Sequence, residues 1–389
     1  MVNILAIVTI IIALSAIIIY VLIVSGVILK IKPGKMIYKD LYFVGPNRFK
    51  FKKTSTEWNP SNPTSLDSPP GLPDIIYVSS KGGALTRRNM ETKKEKEILN
   101  MKEEIKNFAT DGEGGLMCVT FHPQDKSVAC LSYTTKSSTP DRVMDLIVSL
   151  YKISDINSDK ESWKRGDTLV KIPCTTTVHH GGGLVFGNPN ELFLGVGDGG
   201  PQRDPERNGQ NPNNLRGKIL RFDLSQDKPK PKIVAMGLRQ PWRIFVDCAG
   251  RLWIGDVGFS TYETVKLMNN RNPVKPYNFG WPVWEGTYRQ ASGPPYEDFN
   301  HPIFEYPTDA KTGRAIIGGY WDKENNVYVF GDVLGFLRAI IYNPGKKHWQ
   351  QVALEKNDFS IYSFGRNFNT GKNYLLSTKM IYEISVEKK

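Results

Sequence analysis

The sequence is poor in long helical periodicity, in cysteine and in glycosylation acceptors. Its four cysteines, Cys118, Cys130, Cys174 and Cys248, form no Cys-x-x-Cys pair, which excludes the usual zinc and thiol–disulfide motifs. All four sit in apolar, strand-like runs where buried free thiols are common. Cys118 and Cys130 flank one turn and either stay reduced or pair across a hairpin. Every candidate Asn-x-Ser/Thr acceptor is blocked by proline, as in Asn59-Pro60-Ser61 and Asn62-Pro63-Thr64. The net charge of +12 comes without any nucleic-acid motif, so no nucleic-acid partner is expected.

Charge is also missing from residues 1–29, where the stretch from Ile4 to Leu29 is almost wholly apolar and rich in Ile. A secretory signal core spans ~7–15 residues and a bilayer needs ~20, so the length predicts an uncleaved single-pass transmembrane anchor. Residues 30–53 then hold eight cations (Lys30, Lys32, Lys35, Lys39, Arg48, Lys50, Lys52 and Lys53) against Asp40 alone. A basic run beside an apolar span suits lipid head groups. Positive charge on this flank favours a cytoplasmic body, although long domains override that rule, so the side of the membrane stays open. Residues 30–74, basic and then rich in Pro, Ser and Asn, read as a stalk. Residues 92–106, with charges of both signs, read as a solvated helix or loop. Strong use of Lys, Ile and Asn fits an AT-rich genome, a viral one among them.

What is plentiful is glycine and proline, 35 and 25 residues, in a pattern of strand, short turn and strand ending in Gly or Asp. Residues 184–198, 243–256 and 361–376 are three copies, and 117–133 is a looser fourth. Such recurrence is a β-propeller signature, and at ~40–50 residues per blade residues 75–389 hold six or seven blades.

Several segments then carry a resemblance in a fixed order. They are Gly-Glu-Gly-Gly-Leu-Met-Cys-Val-Thr-Phe-His-Pro at 112–123, His-His-Gly-Gly-Gly-Leu-Val-Phe at 179–186 and Gly-Asp-Gly-Gly at 197–200. Asn-Leu-Arg-Gly-Lys-Ile-Leu-Arg-Phe-Asp at 214–223, Gly-Leu-Arg-Gln-Pro-Trp-Arg at 237–243 and Gly-Asp-Val-Gly at 255–258 follow. Asn-Phe-Gly-Trp-Pro-Val at 278–283, Gly-Gly-Tyr at 318–320 and Val-Tyr-Val-Phe-Gly-Asp at 327–332 close the series. Residues 75–387 thus resemble the glucose/sorbosone dehydrogenases, a family that includes pyrroloquinoline-quinone (PQQ) aldose sugar dehydrogenases and hedgehog-interacting proteins. Asp204-Pro205 after Gly-Asp-Gly-Gly is closest to the latter branch.

The resemblance implies an all-β, six-bladed propeller behind the N-terminal transmembrane helix. It implies a base, His179, that takes the proton of a sugar C1 hydroxyl while hydride passes to the quinone. Arg239 would polarise a quinone carbonyl. Glu113 and Gln240 would line the cofactor pocket, and the backbone carbonyls of Val257 and Gly258 would bind calcium. Trp321, next to Tyr320 and near an expected top-face loop, is a further pocket candidate on its position alone. Other aromatics, Trp242, Trp253, Trp281 and Trp284, read as blade core. The family's Asp before the base is replaced by Val178, its late-blade Lys by Val333, and its Arg pair before Ser363 is missing, with only Lys356 and Asp358 nearby. Arg338 and Arg366 are candidate substitutes. Asp198 and Asp204 read as turn caps rather than calcium ligands. The functional readings are a quinone- and calcium-dependent sugar dehydrogenase and, alternatively, a non-catalytic propeller that binds a protein or glycan.

Overall fold

Six small antiparallel sheets follow one another along residues 44–389, the part of the chain described by the computed structural model. Blade I comprises Pro63–Asp67, Ile75–Ser80, Ala84–Asn89 and Glu95–Asn100; blade II comprises Leu116–Phe121, Val128–Lys136, Met144–Ser154 and Ser162–Cys174. Blade III runs through Gly181–Asn188, Glu191–Val196, Lys218–Asp223 and Lys232–Met236, and the short parallel strand Tyr277–Asn278 extends it. Blade IV takes Pro241–Val246, Leu252–Asp256 and Tyr262–Met268, then Phe304–Pro307 after an insertion that carries a small hairpin. Blade V is Ile316–Asp322, Val327–Asp332, Phe336–Asn343 and His348–Lys356. Blade VI is Ile361–Arg366, Asn373–Ser377 and Ile381–Lys388, with Phe49–Trp58 as its outermost strand.

The first strand of each blade is the innermost, and each touches its counterpart in the next blade, with blade VI returning to blade I. That closed ring settles the count at six blades. Cores of Val, Ile, Leu and aromatic side chains fill the wedges between blades. All six innermost strands shift register near their start, between Pro63 and Ser65, Leu116 and Cys118, Gly181 and Leu184, Pro241 and Arg243, Ile316 and Gly318, and Ile361 and Ser363. A bulge there increases local twist and turns the strand ends around the axis.

Arg243 occupies the axis. Its Nε donates to Ser363 Oγ at 2.9 Å, Nη1 donates to the Trp242 carbonyl at 2.9 Å, and Nη2 donates to the carbonyls of Met117 (3.1 Å) and Thr64. One guanidinium therefore ties the inner strands of blades I, II, IV and VI. Burial without an anion partner pushes its pKa down to about 10. Gly318 of blade V makes room for it, since a Cβ there would meet the Arg243 carbonyl at 2.8 Å, with φ at +90°.

The structure moves several sequence expectations. The propeller begins within the expected stalk: in Phe49–Trp58, Phe49 and Phe51 are buried between exposed lysines, and the strand pairs antiparallel with Ile381–Lys388. Pro63–Asp67 is wholly buried as the inner strand of blade I. The charged stretch 92–106 contains an outer strand, Glu95–Asn100, and one helical turn, Met101–Glu104. Its charges suit an outer strand, which must not invite further pairing. All four cysteines are free; Cys118 faces Ser132 and Cys130 faces Thr120, so the two are offset in register. Cys248 is exposed in the Asp247–Gly250 turn rather than buried in a strand. The expected anchor at 4–29 lies outside the described residues, and among those described no helix is long and apolar enough to cross a membrane.

Two outcomes follow from this closure. A chain starting at Asn47 should melt close to the full chain. One starting at Asn59 lacks the closing strand and should melt lower by roughly 10 °C or more, or fail to fold, as read by thermal circular dichroism. Arg243→Met leaves buried carbonyls without donors and should cost about 2–4 kcal/mol in urea unfolding.

Candidate functional site

Every innermost strand starts beside one mouth of the axial channel, here called the upper face. A cleft of about 730 Å³ opens there, and Glu113, His179, Gln202, Arg239, Gln240 and Val257 are among its walls. The loops that enter the inner strands of blades II, III and IV, with the loops after Val196 and Asp256, bring these side chains together although the sequence separates them by more than a hundred residues.

His179 enters the inner strand of blade III with φ at +59°, a backbone conformation costly for a residue with a Cβ. Neighbours hold it there. Its N–H donates to Glu113 Oε2 at 2.7 Å, and its carbonyl accepts from Gly199 N at 3.1 Å. Gly197 is required at this approach, because a Cβ on it would lie 2.0 Å from the His179 carbonyl oxygen.

The imidazole bridges two charged groups. His179 Nδ1 lies 2.8 Å from Asp198 Oδ1, and Nε2 lies 3.0 Å from Arg239 Nη2. A carboxylate on Nδ1 assigns the proton to that nitrogen and leaves the Nε2 lone pair facing Arg239. Asp198 is fully buried; Oδ1 also accepts from Gly200 N at 2.9 Å and Oδ2 from Trp281 Nε1 at 2.9 Å. The guanidinium of Arg239 additionally donates to Gln202 Oε1 at 2.6 Å and to the Val257 carbonyl at 3.3 Å. Gln240 Nε2 donates to Glu113 Oε2 at 2.7 Å, joining the two pocket candidates to each other.

Beneath this row lies a buried polar scaffold. Asp204 accepts from the N–H groups of Asn208 and Gly209, both at 2.8 Å, and burial raises its pKa. It is a turn cap, as expected. Lys218 Nζ donates to the carbonyls of Asn208 and Arg216 at 2.6 Å, and desolvation lowers its pKa to about 7. Asn208 Nδ2 donates to the Asp198 carbonyl at 3.0 Å, so this scaffold carries the carboxylate behind His179. On the opposite wall Glu263 accepts from Gly258 N at 3.1 Å and Ile316 N at 2.9 Å; burial pushes its pKa up to about 8. That bond pins the Val257–Gly258 turn to blade V.

The support expected to be lost with Val178 is therefore supplied from Asp198, nineteen residues after His179 and on the loop that follows Val196. Asp198 is more than a turn cap. Trp281, expected in the core, is the second missed member, and its place in the 278–283 motif was the available signal. Trp321 is not in the cleft. It packs against Trp253 with ring centroids 5.2 Å apart and planes 24° apart, and Arg251 covers it at 4.7 Å, between blades IV and V. Trp242 does reach the cleft as well as the axis.

Neither proposed substitute for the missing cations reaches this cleft. Arg338 is fully buried over the Tyr306 ring at 4.1 Å and donates to the Thr312 carbonyl. Arg366 ends the inner strand of blade VI, at the opposite mouth. Val333 lines the cleft, as does a cation the sequence reading overlooked, Arg314. Arg314 is exposed, and among the described residues no group accepts from its side chain. Among the described residues no cluster of three His, Cys, Asp or Glu side chains could hold a metal ion.

A model of glucose/sorbosone dehydrogenases matches residues 61–319, about two thirds of the chain. The chain belongs to the glucose/sorbosone dehydrogenase family. The HIPL1 and HIPL2 proteins of Arabidopsis thaliana are 27% identical over 322 residues and 29% identical over 249. These alignments cover 61% and 50% of this chain but only 45% and 35% of the plant proteins, so the chain spans less than half the length of the curated relatives it matches. The PQQ-bound aldose sugar dehydrogenase of Streptomyces coelicolor superposes with a TM-score of 0.69 at 20% identity, covering 88% of this chain and 99% of that one. The soluble aldose sugar dehydrogenase of Escherichia coli, in its apo form, gives 0.67 at 17%, covering 88% and 100%. The fold of this family member is thus that of quinoprotein sugar dehydrogenases.

His180, next to the site and fully buried, carries a pKa that desolvation lowers to about 4. A histidine held neutral in the fold stabilises it fully above pH 6.5, and that contribution is lost as pH falls from 6.5 towards 4. In His180→Phe the loss of stability between pH 7 and pH 4 should shrink by on the order of 2–3 kcal/mol in urea titrations. An unchanged difference between the two pH values would place the acid sensitivity elsewhere.

Proposed function

We propose that the upper cleft oxidises the C1 hydroxyl of a sugar, with PQQ as the hydride acceptor. The observation that carries this reading is the unbroken row Asp198–His179–Arg239, which points a basic nitrogen towards the cleft. A histidine retained only as filler would need neither a dedicated buried carboxylate nor a guanidinium at Nε2.

In this reading His179 Nε2 accepts the hydroxyl proton, and the imidazolium that forms is stabilised by Asp198 through Nδ1. Arg239 holds Nε2 in the free protein and must turn towards the quinone and substrate oxygens when they bind. Gln202 and the Val257 carbonyl keep its fork in the cleft meanwhile. Glu113 fixes the His179 backbone and orients Gln240.

The residues fit the quinone in kind. Arg239 and Arg314 line one cleft, and Arg314 has no protein acceptor among the described residues, as a cation awaiting a ligand carboxylate would. The carbonyls of Val257 and Gly258 are the hard oxygen donors that would hold calcium. Bound there, the quinone would supply the two-electron acceptor that no side chain can. The apolar stretch from Ile4 to Leu29 supports a tether that holds this body at a membrane.

A second reading is a non-catalytic propeller that binds a protein or glycan at the same face. Val333, uncharged where the enzymes of the family carry Lys, is the observation that favours it.

Titration calorimetry of the chain with PQQ plus calcium decides between them. Binding in the micromolar range or tighter, lost in Arg239→Ala, supports the oxidoreductase; no heat at high micromolar cofactor sinks it and leaves the binding propeller. In a dye-linked sugar oxidation assay, Asp198→Asn should retain quinone binding within about threefold and lose roughly 100-fold or more in turnover, close to His179→Ala. Equal turnover in Asp198→Asn and wild type would show that the row does no proton transfer.

A further inference from the structure

The axial channel has a second mouth. The inner strand of blade IV passes from Trp242 at the upper cleft, through Arg243 at the axis, to Val246 at the lower face, and that of blade VI passes likewise from Tyr362 to Arg366. Between the turns that follow these inner strands lies a separate cleft of about 460 Å³, within the range of small-molecule sites.

Its walls are mixed, with apolar side chains set among Ser68, Thr120, Gln124, Asn188 and Asn369. Phe186, Val246, Pro123 and Phe368 contribute, and Phe368 leaves 57% of its surface in solvent, unusual for a phenylalanine in a chain whose other aromatics are mostly buried. One cation lines this cleft, Arg366. It lines both this cleft and the small axial cavity above it, and its guanidinium lies 5.6 Å from the Phe368 ring.

Arg366 differs from the other partly buried arginines. Arg216, Arg221, Arg239, Arg243 and Arg271 all donate to carboxylates, carbonyls or side-chain oxygens. The Arg366 Nε is buried without an acceptor, and among the described residues none of its nitrogens has one. The nearest carboxylate in the same wall, Asp247, is fully committed: Oδ2 accepts from Arg251 Nε at 2.6 Å and Trp253 Nε1 at 2.8 Å, and Oδ1 accepts from the N–H groups of Ala249 and Arg251 at 2.9 Å. A half-buried guanidinium without an acceptor is costly, and a bound anion removes the cost.

We propose that the lower mouth binds a small carboxylate with an apolar body, its carboxylate on Arg366 and its body between Phe186, Val246 and Phe368. The volume suits an arylalkanoic acid or a short fatty acid. Arg243 and Trp242 separate this site from the upper cleft, so the two are loaded independently, and the assignment does not rest on the oxidation chemistry proposed above.

The test is titration calorimetry of the full chain with 3-phenylpropionate and with its uncharged isostere 3-phenylpropanamide. The acid should bind one to one and at least tenfold more tightly than the amide. Arg366→Gln should weaken the acid at least tenfold and leave the amide unchanged. Phe368→Ala, at an exposed position that folding does not need, should weaken both. His179→Ala should alter neither. Equal binding of acid and amide, undiminished binding in Arg366→Gln, or no binding of the acid at millimolar concentration would each overturn the assignment. If Arg366→Gln does not fold, Phe368→Ala and the acid-to-amide ratio in the unaltered chain decide it by the same criteria.

Discussion

Six strands meeting around one axis leave six backbone edges with no neighbouring strand to bond, and that deficit governs the centre of this molecule. A ring of this size is too wide for the edges to satisfy one another and too narrow to admit bulk water freely. Arg243 resolves the conflict: one planar fork supplies donors to carbonyls from three blades and to a serine from a fourth. A lysine could not span those directions. The missing counter-anion costs the guanidinium part of its basicity, and hydrogen bonds to carbonyls offset that cost. Gly318, the start-of-strand bulges and the stacking of Arg243 on Trp242 at 4.6 Å all serve to accommodate this group.

The upper site inherits its precision from the same closure. His179, Arg239 and Glu113 stand on loops that enter three different blades, so their mutual distances depend on the ring being shut. Closure in turn depends on Phe49–Trp58, the outermost strand of blade VI and the first in sequence among the described residues. Local rigidity comes from the polar scaffold under the 197–210 loop, where Lys218, Asp204 and Asn208 satisfy one another and support Asp198 from behind. The strained backbone at His179 persists because bonds from Glu113 and Gly199 hold both of its peptide groups.

Much of this was legible in the sequence, and the failures have physical reasons. Strand–turn–strand recurrence and the order of the Gly-rich motifs carried the propeller, and those motifs also located His179, Arg239, Glu113, Gln240 and the 257–258 turn, which do share a cleft. Length alone left six or seven blades, because residues per blade vary with insertions such as the one in blade IV; the resemblance implied six, and the closed ring has six. The closing strand was hidden in a basic run: the alternation of Phe49 and Phe51 with lysines is a strand pattern, but its buried face exists only once the far end of the chain arrives. Asp198 could not be assigned to His179 from spacing, since the contact arises where two turns fold over each other. Trp321 was misplaced for the opposite reason. Side chains alternate across a strand, and its residue-by-residue position next to Tyr320 puts it on the wedge between blades rather than on the axis.

Division of the channel by Arg243 also bears on how one fold can host distinct recognition tasks. The side chains above the divider are polar and linked in chains, which suits proton transfer to a hydroxylated substrate. Those below mix aromatic and aliphatic groups with short polar side chains around one cation without an acceptor among the described residues, Arg366, which suits binding without chemistry. Loss of basic residues at the upper mouth, as at Val333, would weaken a polyanionic cofactor there without disturbing the lower mouth, since among the described residues no charged network crosses the divider. Conversely, the inner strands of blades IV and VI line both mouths, so a change in their register would displace both at once. Independence of charge and dependence on geometry thus come from the same element, a buried guanidinium that fixes the strands and neutralises nothing.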